Sequence, residues 1–196
     1  QSLMKKNNFR KTILVTGAGG SIGSELCRQI IKQKPHKLLL VEISEYALYS
    51  IHQQLEEIIQ KDTELIPLIG SVQDIPRMKE IISIFKPSII YHAAAYKHVP
   101  IVEHNLVEGL KNNLIGTFEL ANLSLENNVN NFVFVSTDKA VRPTNVMGVT
   151  KRLAELSLQA LNYKNLNLSE GSKQTKFSIV RFGNVLDSSG SVIPKF

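Results

Sequence analysis

Short apolar runs alternate along the chain with longer stretches in which apolar residues recur every three or four positions. The runs Thr12–Thr16, Lys37–Ile43, Leu65–Ile69, Ser88–His92, Asn131–Ser136 and Phe177–Phe182 have the length of strands. Between them the helical period predicts Ile22–Gln33, with Ile22, Leu26 and Ile30 on one face. It also predicts Glu45–Gln60, carrying Leu48, Ile51, Leu55, Ile58 and Ile59, and Ile75–Phe85, where Pro76 suits the first turn. A long helix follows over Val102–Asn127, broken near Gly109 or Gly116, and another spans Val146–Leu161. The polar segment Asn162–Thr175 reads as an exposed loop. Strands this apolar predict cover on both faces, as in parallel sheets. Repeated strand–helix–strand order with right-handed crossovers then gives a doubly wound parallel α/β sheet with helices on both faces.

Composition narrows the picture without redirecting it. The 196 residues suit one sizeable domain, read as a basic tail over 1–10 and a domain over 11–196. Hydrophobic residues are 43% and charged residues 20%, ordinary for a soluble globular protein. No apolar run approaches the roughly 18 to 20 residues that cross a bilayer, and the polar, basic start has no signal-peptide pattern. The abrupt ends suggest a piece of a longer protein. Lys5, Lys6, Arg10 and Lys11 are then either a solvated tail or a stretch beside a membrane domain. The single cysteine, Cys27, excludes an internal disulfide and reads as a small buried packing residue, in keeping with the cytoplasm. A net charge of +6 favours anionic ligands. No compact Lys/Arg run interleaved with aromatics points to nucleic acid, and no His/Cys/Asp spacing points to a metal.

The candidate chemistry starts at Gly17, Gly19, Gly20, Ser21, Ile22 and Gly23, between the first strand and the first helix. Glycines there let the backbone turn tightly and approach phosphate oxygens, while the helix end stabilises the anion. That context makes the domain Rossmann-like and predicts a dinucleotide. Glu42, about twenty residues past the loop, is placed to accept from both ribose hydroxyls of NAD and to repel the extra phosphate of NADP. NADP stays the alternative cofactor, and a capping role in the turn Glu42–Glu45 the alternative use of the acid. Ser71 and Val72 follow the third strand, where an adenine ring would lie, and Asp74 reads better as a helix cap. His92 is as well explained by a structural hydrogen bond as by a pocket role.

Several later segments carry a family resemblance. They are His92–Pro100, Asn113–Thr117, Val135–Gly148, Thr150-Lys151-Arg152 and Arg181–Leu186. With the glycine loop, they resemble the extended short-chain dehydrogenase/reductases, in the branch of nucleotide-sugar 4,6-dehydratases of bacterial polysaccharide biosynthesis. The resemblance runs from Lys11 to Phe196. It implies an NAD-dependent lyase acting on a UDP-sugar, typically UDP-N-acetylglucosamine. The sugar is oxidised at its 4-position, loses its 5-proton and then water across the 5–6 bond, and regains the hydride at its 6-position, giving a 4-keto-6-deoxy sugar.

By that resemblance Thr137 bonds the 4-oxygen, Asp138 protonates the departing 6-hydroxyl and Lys139 takes the 5-proton. Lys139 would need burial and the nearby Lys151 to lower its pKa. Lys151 binds the nicotinamide ribose. Ala93, Ala94 and Ala95 line the cofactor, and Lys97, His98 and Asn184 face the substrate. One position departs from the superfamily: Met147 stands where a tyrosine would, one helical turn before Lys151. Methionine cannot relay a proton, so the resemblance is to the subgroup with methionine there. Without that tyrosine a 4-epimerase is the weaker reading. A non-catalytic dinucleotide-binding module has no use for Thr137–Lys139. Family members continue into a sugar-binding domain, so this chain alone is expected to bind NAD(H) with little or no turnover. The resemblance further implies a homo-oligomer, located in the cytoplasm or at the cytoplasmic face of the inner membrane if a membrane domain precedes it.

Overall fold

The computed structural model describes residues 8–59, 61–166 and 175–183. Six parallel strands form one sheet: β1 (Thr12–Thr16), β2 (Lys37–Glu42), β3 (Glu64–Ile69), β4 (Ile89–His92), β5 (Asn131–Thr137) and β6 (Lys176–Phe182). Their order is β3-β2-β1-β4-β5-β6. The order reverses between β1 and β4, and crossovers leaving on either side open a crevice at the carboxyl ends of the strands. The predicted Rossmann-like architecture is the one observed.

The helices are α1 (Ser21–Ile31), α2 (Glu45–Glu56), α3 (Ile75–Phe85), α4 (Val99–His104), α5 (Leu106–Leu110), α6 (Gly116–Glu126) and α7 (Val146–Leu166). Alternation along the strands divides the core in two. Ile13, Val15, Leu38 and Leu40 pack with Cys27, Ile30, Leu48, Ile51 and Leu55 of α1 and α2. Leu14, Leu39, Ile90, Phe132 and Phe134 pack on the other face with residues of α3, α6 and α7 such as Met78, Leu120 and Leu158. Burial lifts the Cys27 thiol to about 12, so it is the inert packing residue expected.

Tertiary contacts moved several boundaries. The buried stripe of α1 is Gly23, Cys27, Ile30 and Ile31, and Ile22 faces the crevice instead. β2 stops at Glu42, leaving Ile43 exposed. α2 ends at Glu56, before Ile58 and Ile59. β3 is an edge strand and only partly covered. The long helix breaks at Asn105, not near Gly109, and Lys111–Ile115 forms a π-turn ending at Gly116. A β-carbon at Gly116 would stand 3.0 Å from the Val72 carbonyl, so this helix needs glycine to approach the loop after β3. α7 runs to Leu166, into the segment predicted as loop, because the buried Asn165 amide donates to the Thr175 carbonyl at 2.9 Å. Asp74 caps α3 by accepting from the Arg77 N–H at 3.0 Å. Among the described residues no helix is long and apolar enough to cross a membrane.

Candidate functional site

The glycine loop leaves β1 through Gly17, whose φ of +66° suits glycine. A β-carbon on Gly17 would meet the Ala94 nitrogen at 2.7 Å, and one on Gly23 would collide with the Gly17 carbonyl. Helix and strand therefore close on each other only with glycine at both positions. Gly20 is different. A β-carbon there would meet only the Gly17 oxygen, at 3.3 Å, and Gly20 begins α1 with no side chain capping it. The bare helix start opens into a cleft of about 530 Å³. Gly20, Ser21, Ile22 and Gly23 form one wall, Ala93, Ala95, Tyr96, Lys97 and His98 a second, and α4 and α5 close it. An uncapped helix end and small flanking residues suit a diphosphate. Among the residues expected to hold the cofactor, Gly20–Gly23, Ala93 and Ala95 line this cleft, whereas Ala94 packs against the core.

Glu42 lies beside this cleft at the end of β2. It accepts from the Gly19 N–H at 3.1 Å, the Ile43 N–H at 2.9 Å and the Ser44 N–H at 3.1 Å. These bonds aim the carboxylate and brace the loop. Ser44, not Glu42, caps α2, accepting from the Ala47 N–H at 3.3 Å. Ser71 accepts from the Gln73 N–H at 3.1 Å, while the Val72 side chain is buried in the core.

His92 is structural. It is fully buried, with Nδ1 at 2.7 Å from Thr16 Oγ1 and Nε2 at 2.8 Å from Thr117 Oγ1. Thr117 donates its own proton to the Asn113 carbonyl, so its oxygen accepts from Nε2–H and leaves Nδ1 to accept from Thr16. Burial, then the neighbouring Lys151, pushes His92 down from 6.5 to about 3. The unfolded chain therefore takes up a proton between those values that the native state refuses, and stability is lost as pH falls from about 6.5 toward 3. Thermal melts across this range are expected to show that loss, and His92→Gln to flatten it. An equal slope in the variant would disprove the assignment.

The triplet at the end of β5 sits at the same sheet edge. Thr137 ends the strand, and Asp138 and Lys139 begin a short 3-10 turn. Thr137 Oγ1 donates to Asp138 Oδ1 at 3.0 Å, and Lys139 Nζ is 3.4 Å from the same oxygen. The Thr137 hydrogen bond, ahead of the Lys139 charge, holds Asp138 below the usual carboxylate range. The Asp138 side chain is 55% and that of Lys139 36% exposed, so the burial expected of Lys139 is not found there. It falls on Lys151 instead, which is 5% exposed. Lys151 Nζ donates to the Val135 carbonyl at 2.7 Å and lies 3.9 Å from the centre of the Phe134 ring. Burial brings Lys151 from 10.5 down to about 7, against an opposing pull from Glu155. Met147, one turn earlier, is buried as well. Asn184 lies outside the described residues.

Two residues without a role assigned from sequence complete the arrangement. Asn113 in the π-turn accepts from the Tyr96 N–H at 2.8 Å and donates to the Tyr96 carbonyl and Thr150 Oγ1, both at 3.0 Å. It pins the Lys97 loop to α7. Glu155 is buried on the inner face of α7, and an acid in phase with Met147, Lys151 and Leu158 was the available signal.

A family model described as "Polysaccharide biosynthesis protein" matches residues 13–196. The capsular polysaccharide biosynthesis protein CapD of Staphylococcus aureus is 50% identical over 195 residues, covering 100% of this chain and 31% of that protein. A UDP-N-acetylglucosamine 4,6-dehydratase (inverting) of Campylobacter jejuni is 34% identical, covering 95% of this chain and 52% of the enzyme. A UDP-glucose 4-epimerase of Rickettsia canadensis is 32% identical with the same coverages, 95% and 52%. Among solved structures, Pen from Bacillus thuringiensis superposes with a TM-score of 0.84 at 31% identity, covering 95% of this chain and 55% of that one. The chain thus spans between 31% and 55% of the length of these proteins.

Proposed function

Because the chain belongs to the polysaccharide biosynthesis protein family, we propose that it is the dinucleotide-binding part of an NAD-dependent 4,6-dehydratase acting on a UDP-N-acetylhexosamine, with UDP-N-acetylglucosamine the first candidate. The observation that carries this reading is the convergence at one sheet edge of the bare α1 start and the Thr137–Lys139 turn, with Lys151 buried beneath. NAD, when bound, supplies a site that takes a hydride from the sugar and gives it back. Gly17–Gly23 and the α1 N-terminus hold its diphosphate, Glu42 its adenosine ribose, and Lys151 the ribose beside the sugar.

The triplet then works on the sugar. Thr137 turns its hydroxyl to the 4-oxygen and so withdraws the bond that keeps Asp138 acidic. Closure of a sugar over the turn removes water from the Asp138–Lys139 pair. Burial disfavours the two charges, so a proton passes from the Lys139 ammonium to the Asp138 carboxylate. One transfer leaves both groups in the form the reaction uses: Lys139 neutral to take the 5-proton, Asp138 protonated to assist the leaving hydroxyl. Lys97 and His98, on the cleft wall, meet the substrate phosphates. Met147 carries no proton, so the 4-hydroxyl proton leaves through the Thr137 hydroxyl or a water as the hydride departs, and this methionine is the feature shared with the proposed subgroup.

The epimerase relative gives a second reading, but Met147 offers no hydroxyl with which to ionise the 4-position. Mass spectrometry of UDP-N-acetylglucosamine incubated with the full-length protein separates the two. Loss of one water is expected. An unchanged mass, with the protein folded and cofactor bound, excludes the dehydratase.

A further inference from the structure

Glu155 lies one turn beyond Lys151 on α7, and its side chain is closed to solvent. Ser136 Oγ donates to its Oε1 at 2.7 Å and Arg181 Nε to the same oxygen at 2.8 Å. Arg181 Nη2 donates to Oε2 at 2.6 Å and Arg152 Nη1 at 3.1 Å. Ser136 and Arg181 are register partners on β5 and β6. One carboxylate therefore fastens α7 to the ends of both strands. Ser136 immediately precedes Thr137. Beyond Arg181, a β-carbon on Gly183 would stand 3.5 Å from Asp138 Oδ2, so the same strand end borders the triplet.

We propose that Glu155 is a positioning residue acting through Lys151: a buried counter-charge one helical turn away, clamped by Ser136 and Arg181, that favours the ammonium form of Lys151 at the end of β5. Its catalytic meaning rests on the dehydratase reading, whereas its effect on Lys151 does not. Burial pulls Glu155 upward, but the bonds from Arg181, Ser136 and Arg152 outweigh it and hold the carboxylate ionised. Charged and titratable groups approach this end of α7 from several elements. His92 on β4 is neutral, Asp138 and Lys139 pair on the 3-10 turn, and Glu103 on α4 accepts from the Val146 N–H at 2.7 Å. Arg181 on β6 and Arg152 on α7 are committed to Glu155 itself. Among the described residues, Glu155 is the group whose charge opposes the loss of the Lys151 proton. Without that charge, only the Val135 carbonyl and the Phe134 ring are left to offset the burial of the ammonium.

The test follows the Lys151 ammonium by NMR in full-length protein carrying labelled lysine, with Lys151→Met to assign the signal. Glu155→Gln is expected to lower the Lys151 titration midpoint by about one pH unit or more, and Glu155→Asp to return it toward the parent value. Arg181→Gln, on the exposed edge strand, is expected to raise it, because the carboxylate then acts less compensated. A merely structural clamp would lower the melting temperature and leave the midpoint in place, which overturns the proposal. If Glu155→Gln does not fold, Arg181→Gln decides alone: an unmoved or lowered midpoint overturns the proposal. Failure of the dehydratase reading shows separately, as intact sugar mass beside a shifted midpoint.

Discussion

Replacing Gly20 with aspartate is expected to weaken NADH binding at least about hundredfold while leaving the fold intact. Gly20 holds the cap position of α1 with φ −73° and ψ 165°, a conformation that aspartate adopts readily. Its β-carbon would meet only the Gly17 oxygen at 3.3 Å, which a small shift relieves. The new carboxylate would satisfy the first-turn N–H groups, so the melting temperature stays level or rises slightly. The same carboxylate occupies the place of the diphosphate. Two like charges about 4 Å apart repel by about 4 kcal/mol at an effective dielectric near 20, and after salt screening the affinity should still fall at least about hundredfold. Fluorescence titration with NADH, beside a thermal melt, measures both effects. Retained binding in a folded variant would place the dinucleotide elsewhere.

The second large effect belongs to Lys139→Met. Methionine keeps much of the length of lysine and removes the basic nitrogen. A positioned general base contributes about 10² to 10⁴ in rate, so water loss by the full-length protein should fall by that factor. Exchange of the sugar 5-proton with deuterated solvent should stop with it. NADH affinity should hold, because the reading assigns Lys139 to the sugar and not to the dinucleotide. The experiment also separates reaction classes, since a 4-epimerase has no step at the 5-position. Unimpaired water loss in this variant would remove Lys139 from the chemistry.

Much of the architecture is legible along the chain because it rests on local periodicity. Ile13 and Val15 pack on one face of the sheet and Leu14 on the other, as alternation within a strand requires. The glycine loop is legible because two of its glycines answer local demands: a positive φ at Gly17 and a close approach of Gly23 to the Gly17 carbonyl. Boundaries set by partners far along the chain are less so. α7 continues past Leu161 because Asn165 meets Thr175, and no helical period signals that bond.

The site divides in the same way. The residue types at the sheet edge, Thr137, Asp138, Lys139 and Lys151, are written in the sequence with their spacing. Which lysine is buried is not, because burial depends on what α7 and β5 jointly cover. Only the tertiary structure lays Lys151 on the Phe134 ring and leaves Lys139 half open beside Asp138. It alone joins Glu155 to Arg181, 26 positions away, across two elements. Sequence sets the repertoire of charges and the pitch of each element. Desolvation and long-range pairing set the state of each charge, and they exist only once the sheet and its helices have closed.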